Sequence, residues 1–122
     1  LYKTNLSIIK SVIKSNEKRK LLLTKRIKKI LSNKIKGKKI AFLGVTFKAN
    51  TDDMRQSTSL TMIPFLNKNG AKINYYDPSG KKNCFSKLKN VFYCKNIRYN
   101  ILNHFLINHI VVFMKNICKS IN

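Results

Sequence analysis

The stretch KIAFLGV, residues 39–45, decides the fold. It is a nearly unbroken apolar run, too short for a helix and typical of a central parallel strand covered on both faces. The polar residues that follow, 46–58, read as a loop. Next comes SLTMIPFLNKNG, residues 59–70, which carries the marks of a helix. Ser57 or Thr58 can cap its start, Leu60, Ile63 and Leu66 share one face, and Gly70 sits at the position just past its end. Pro64 inside it removes one backbone hydrogen bond and predicts a slight kink. AKINYY, residues 71–76, reads as a second strand closed by an Asp77-Pro78 turn. Strand, helix and strand with short connections make a βαβ unit, which implies a right-handed crossover and a parallel sheet. Farther on, NVFYCK (90–95) and HIVVF (109–113) are expected as third and fourth strands, with a weak helix over 98–108. The expected class is α/β, an open, doubly wound sheet, which binds ligands beyond the carboxyl ends of its strands. The loop 46–57 leaves such an end.

Toward the amino terminus the periodicity becomes helical. Leu6, Ile9, Ile13, Leu23, Ile27 and Ile30 fall on one three-four ladder, with Asn16 and Lys20 on rungs between them. Thr4 or Asn5 is the expected N-cap, and the helix is expected over 5–33, ending before Gly37. That far exceeds the usual length of about 11–12 residues, so the helix is expected to pack against something outside this chain. Asn16 reads as a partly exposed rung rather than a register or site residue.

Composition bounds the partners. The 122 residues carry 26 Lys and Arg against four Asp and Glu, a formal net charge of +22. Such a surface would attract nucleic acid through phosphate neutralisation. Yet the cations are mostly Lys scattered along the chain, in company with much Asn and Ile, as A/T-rich codons would produce. No RNA-binding aromatic pair, GxxG loop or zinc-finger spacing accompanies them, and nucleic acid is not the expected partner. No apolar run approaches the roughly 20 residues that cross a bilayer, and a soluble, cytoplasmic protein is expected. The sequence opens on Leu1 and reads as a fragment of a longer chain. Cys84, Cys94 and Cys118 show no metal or disulfide spacing and read as small hydrophobes. His104 and His109 are spaced wrongly for a shared helical face, and no metal site is expected.

The loop FLGVTFKANTDDMRQS, residues 42–57, poses the chemical question, because two of the four acids, Asp52 and Asp53, lie in it. With Gly44 alone it is not a G-x-G-x-x-G turn. Lys48 and Arg55 could meet phosphate, helped by backbone N–H groups at the start of the following helix. Asp52 and Asp53 could act as acid–base or metal groups, or could hold Lys48, Arg55 and the helix amides in place. With no His nearby in sequence, the structural role is preferred.

GKKIAFLGVTFKANTDDMRQSTSLTMIPFLNKNGAKINYYDPSG, residues 37–80, resembles the start of the C-terminal nucleotide-sugar-binding domain of the UDP-glucose/GDP-mannose dehydrogenase family. The likeness lies in Leu-Gly, Phe-Lys, Thr-Asp-Asp-Met-Arg, the Ser-capped helix and Tyr-Asp-Pro in register, and it is strongest to the bacterial, UDP-glucose-oxidising branch. The preceding IIKSVIKSNEKRKLLLTKRIKKIL resembles the end of that family's central helical region, which builds the dimer core. The resemblance implies a partial doubly wound, Rossmann-like parallel sheet after a long N-terminal helix. It divides the chain into the end of the helical, dimerising region at 1–36 and a truncated UDP-sugar-binding domain at 37–122. It implies NAD-dependent oxidation of the C6 hydroxyl of UDP-glucose to UDP-glucuronate in two hydride transfers, a step in polysaccharide precursor synthesis. It also implies a homo-oligomer joined through the N-terminal helix.

By the same resemblance, Phe47 and Lys48 contact the nucleotide-sugar, Arg55 reaches toward NAD, and Asp52 and Asp53 fix the loop. The family's cysteine nucleophile and its glycine-rich NAD domain match nothing in this chain and are expected upstream of Leu1, so no catalytic residue is assigned and the chain is not expected to be active alone. Gln56 stands where an acidic residue is usual, and MKNICKSIN follows HIVVF where the family has Thr-Glu-Trp. A noncatalytic remnant that pairs with another chain is the alternative, and a basic nucleic-acid binder the more distant one.

Overall fold

The structure is a computed structural model and describes residues 2–48, 50–98 and 109–113, with side chains over 6–48 and 50–98. The first element, α1, runs Tyr2–Ile30. Strand β1 (Lys39–Leu43), helix α2 (Ser59–Lys68), strand β2 (Lys72–Tyr76), a short 3₁₀ turn (Asn83–Phe85), β3 (Val91–Tyr93) and β4 (His109–Phe113) follow. The expected helix over 98–108 lies outside the described residues from 99 onward, as do His104 and Cys118.

The sheet is parallel throughout, in the order β3-β2-β1-β4. Lys39 pairs with Lys72 on one side and with His109 on the other. From β1 the chain winds outward through β2 to β3, then returns to the far side of β1. The winding direction reverses between β1 and β4, and the carboxyl end of β1 opens there. A strand flanked on both edges and covered on both faces must be apolar along its length. Ile40, Ala41, Phe42 and Leu43 are accordingly buried, and Lys39 at the strand's start is exposed.

Three sequence expectations about the helices are corrected. First, α1 begins before Thr4 and Asn5, so neither residue caps it. It ends at Ile30, three residues short of the expected 33, and Ser32 and Asn33 just beyond it turn left-handed, at φ 52° and 61°. Second, the side of α1 that meets the domain carries Thr24 and Ile27, continued by Leu31 and Ile35 after the helix, whereas Leu6, Ile9 and Ile13 are exposed and Ile30 is 69% exposed. Each buried Ile or Leu there contributes about 1.5–3 kcal/mol, so the helix is anchored by its last third. Third, Met62 joins Ile63 and Leu66 on the buried face of α2, while Leu60 stays partly exposed.

The end of α2 fits its sequence. Gly70 adopts φ +90°, its N–H donates to Asn67 O (3.0 Å) and Ala71 N–H donates to Leu66 O (3.0 Å), a double bond pattern that closes the helix through a left-handed residue. Gly70 O in turn accepts the Gly37 N–H at 2.9 Å, tying the end of α2 to the segment before β1.

A side chain at Gly70 would be strained by that φ and would also meet Lys36 Cγ at 3.0 Å and Lys36 Cα at 3.2 Å; at Gly80, φ +96°, it would meet nothing. Gly70→Ala should therefore cost about 2 kcal/mol or more and Gly80→Ala about 1 kcal/mol. Urea denaturation of the two variants checks the difference.

Candidate functional site

The loop from Gly44 to Thr58 starts at the carboxyl end of β1 and delivers the chain to α2. Its first peptide groups are buried with Val45 and Thr46, and buried backbone polar groups need partners. The Gly44 N–H extends the β1–β2 ladder to Tyr76 O at 2.8 Å. The N–H groups of Val45 (2.7 Å) and Thr46 (3.2 Å) both donate to Asp77 Oδ2. On the other side, Val45 O accepts the hydroxyls of Ser57 and Ser59, both buried. Both ends of the loop are thereby fastened to one residue, and the chain between them projects outward.

Asp77 was legible from the sequence only as part of a turn. Its side chain is 1% exposed and faces the Lys82 ammonium, itself 5% exposed, at 3.7 Å from Oδ1. The Ser79 N–H (2.9 Å) and hydroxyl also donate to Oδ1, and Lys82 Nζ donates to Ser79 Oγ. Tyr75, buried in β2, accepts the Lys82 N–H on its hydroxyl at 2.8 Å. Burial by itself raises the Asp77 carboxyl; the Ser79 donors, the Val45 N–H and Lys82 together outweigh it and hold the group below its ordinary value. The sequence signal was an acid closing the second strand of a βαβ unit in a chain with four acids.

The loop's outer half carries the residues singled out from sequence. Phe47 is 46% exposed, and the Lys48 ammonium lies 5.6 Å from the centroid of its ring, a cation–π approach. The Phe47 N–H donates to Asp53 O at 2.9 Å, while Thr46 Oγ1 (3.2 Å) and Thr51 Oγ1 (3.0 Å) both donate to Lys48 O. Asp53 Oδ1 accepts the Arg55 N–H (2.9 Å) and Nε (3.0 Å), and Oδ2 accepts Nη2 (3.1 Å). Those side-chain and backbone hydrogen bonds hold the Asp53 carboxyl below its ordinary value and raise Arg55. The Arg55 guanidinium is 89% exposed, so its remaining N–H groups face outward. Asp52 is exposed, and among the described residues its carboxylate makes no hydrogen bond or ion pair.

The amino end of α2 corrects one expectation. The N–H groups of Ser59, Leu60, Thr61 and Met62 are taken by Ser57 Oγ, Ser57 O and, for the last two, Thr58 O. Thr58 makes no side-chain cap; Ser57 does so instead. With those donors occupied, an anion at this loop meets side-chain cations rather than a helix terminus. The same holds for a dinucleotide. Gly44 is the single glycine of the turn and the Val45 and Thr46 amides are committed to Asp77, so this turn does not cradle a cofactor phosphate.

Elsewhere the chemistry is sparse. Cys84 is exposed, contrary to a packing role, and Cys94 is buried; burial pushes both thiols up. Among the described residues no His, Cys, Asp and Glu cluster could hold a metal ion, and no helix is long and apolar enough to cross a membrane.

Because the Asp77 carboxyl is held low in the folded state, its stabilisation is complete above the ordinary carboxylate value and is lost as pH falls through and below it. Urea midpoints measured from pH 7 down to pH 3 should decline, and the decline should be shallower in Asp77→Asn/Lys82→Met, which lacks the pair.

Comparison with known proteins places this geometry in context. Residues 41–118 match the UDP binding domain of the UDP-glucose/GDP-mannose dehydrogenase family. Over 98 residues the chain is 39% identical to a UDP-glucose 6-dehydrogenase of Rickettsia typhi, covering 80% of this chain and 22% of that protein. A UDP-glucose 6-dehydrogenase of Rhizobium meliloti is 36% identical over 80 residues, 66% of this chain and 18% of that protein. Among solved structures, a UDP-glucose dehydrogenase from the hyperthermophilic archaeon Pyrobaculum islandicum shares the fold at a TM-score of 0.69 and 24% identity, covering 88% of this chain and 24% of that one. The chain spans about a fifth of the length of the curated relatives it matches.

Proposed function

The chain belongs to the UDP-glucose/GDP-mannose dehydrogenase family, and on that premise we propose that residues 37–122 serve as the nucleotide-sugar-binding part of a longer UDP-glucose 6-dehydrogenase. The observation that carries this reading is the placement of Phe47 and Lys48. They sit exposed on a tethered loop at the carboxyl end of β1, beside the strand-order reversal where doubly wound sheets take ligands. Phe47 offers a ring face to a base or sugar, and the Lys48 ammonium meets a diphosphate oxygen. Arg55, braced by Asp53, presents its free N–H groups to a phosphate of NAD across the domain boundary. When bound, NAD accepts the hydride that leaves the sugar C6. The cysteine nucleophile and the cradle for NAD would come from polypeptide outside these 122 residues, so this chain alone binds and does not oxidise.

Residues 1–36 serve as the end of the helical region that joins subunits. The exposed Leu6, Ile9 and Ile13 on α1 support this role, because a helix this long gains its stability by covering an apolar face. The same surface favours a second reading, in which the chain keeps the fold without catalysis and pairs with another subunit. Cytoplasmic placement accords with a sugar-nucleotide substrate.

Calorimetric titration with UDP and UDP-glucose tests the site. Binding is expected, with Lys48→Met weakening it about 10- to 30-fold, the loss of one charge-assisted hydrogen bond, and Arg55→Gln leaving it within about twofold. No UDP binding at millimolar concentration would refute the reading. For the helix, sedimentation should show a dimer at micromolar concentration that Ile9→Asp/Ile13→Asp converts to monomer.

A further inference from the structure

We infer that Asp77 is the positioning residue of this site: its buried carboxylate, held by Lys82 and Ser79, aims the Phe47-Lys48 segment by fixing the two peptide groups before it. The inference rests on the nucleotide-sugar reading and goes beyond it, since Asp77 lies behind the loop and touches it from the protein side.

In a dinucleotide-binding βαβ unit, the turn after the first strand leaves its amides to a pyrophosphate, and an acid farther along the unit holds a ribose hydroxyl. Here the two functions are joined to each other. Asp77 Oδ2 takes the Val45 N–H at 2.7 Å and the Thr46 N–H at 3.2 Å. Oδ1 is taken by Ser79 and faces Lys82. With its acceptors occupied inside the protein, the acid has nothing left for a ligand, and the turn has lost the amides that would cradle one. What remains is a rigid base. Val45, pinned through N–H by Asp77 and through C=O by Ser57 and Ser59, lies two residues before Phe47 and three before Lys48. A charge that is buried this deeply is costly without its partner, so the pair resists the small shifts that would re-aim Lys48.

The requirement is for an acceptor at Asp77 Oδ2, and the charge on the pair is secondary. Two double variants separate these. Asp77→Asn/Lys82→Met removes both charges and keeps a side-chain oxygen for the Val45 and Thr46 amides. Asp77→Leu/Lys82→Met removes both charges and the acceptor, and keeps an apolar side chain in the space. Neither leaves a lone buried charge, and far-UV circular dichroism verifies that each folds.

The affinity of the 122-residue chain for UDP and the exchange rates of the Val45 and Thr46 amides, followed by NMR, are the two readouts. The expected result is that the Asn/Met variant binds UDP within about threefold of the parent and keeps both amides protected. The Leu/Met variant should bind at least tenfold more weakly, with both amides exchanging at least tenfold faster. Equal UDP affinity in the parent and the Leu/Met variant, or equal loss in both variants, would overturn the inference. If the parent chain binds no UDP, the proposed function falls by itself. The amide readout then decides the positioning role alone, and unchanged protection in the Leu/Met variant would end it. If the Leu/Met variant fails to fold, Asp77→Ser/Lys82→Met, which keeps a shorter oxygen out of reach of the amides, replaces it under the same criteria.

Discussion

A peptide group that is buried at the end of a strand, beyond the reach of the next strand's ladder, must be satisfied by side chains, and the site is built around one such group at Val45. The strand brings it to the carboxyl edge of the sheet with no exposed surface. Asp77, from the end of the neighbouring strand, supplies the acceptor, and Ser57 and Ser59, from the start of α2, supply the donors. One residue thus joins β1, β2 and α2 where a ligand would arrive. The identity of the side chains follows: an acid short enough to stay under the loop, and two hydroxyls small enough to share a single carbonyl oxygen.

The same constraint accounts for where the few acids are. In a chain of net charge +22, three of the four acids form ion pairs among the described residues: Glu17 with Lys20, Asp53 with Arg55 and Asp77 with Lys82. All three pairs border the loop. Lys20 also donates to Gln56 at 3.4 Å, which brings α1 into contact with the segment just past Arg55. The pairs of Glu17 and Asp53 are exposed and stabilise little in isolation, whereas the pair of Asp77 and Lys82 is buried. Their importance here is geometric, because each places a particular cation beside the same loop. Gln56, at φ 63°, accepts Lys20 through its amide oxygen.

Much of this architecture was readable in advance, because the signals were local. The apolar run at 39–45, the glycine after α2 and the Asp77-Pro78 turn each act through the backbone of a few adjacent residues. The errors arose where tertiary contacts decide. The apolar ladder of α1 has no way to announce that Ile27 and Leu31 meet the domain while Ile30 points away, since which stripe is covered depends on how the helix lies against α2. Leu60 gave way to Met62 for the same reason. The loop's outer residues were singled out by their sequence pattern, whereas the acid beneath them was read only as part of a turn: its partners lie at Val45 and Thr46, distant in sequence and visible only once β1 and β2 stand side by side. The helix-terminal amides were misjudged because Ser57 and Thr58 serve the helix itself.

The register of the sheet has a consequence for how the domain assembles. Lys39 pairs with Lys72 through one short crossover, but with His109 only after the chain has completed β2 and β3. The second closure spans roughly twice as much chain, an entropy penalty of about 0.6 kcal/mol per doubling, and it gains nothing until β1 is already in place. Assembly should therefore begin with β1, α2 and β2, the segment that also contains Asp77 and its loop. The ligand-side platform would then be complete before the fourth strand docks, and would outlast it when the domain begins to open.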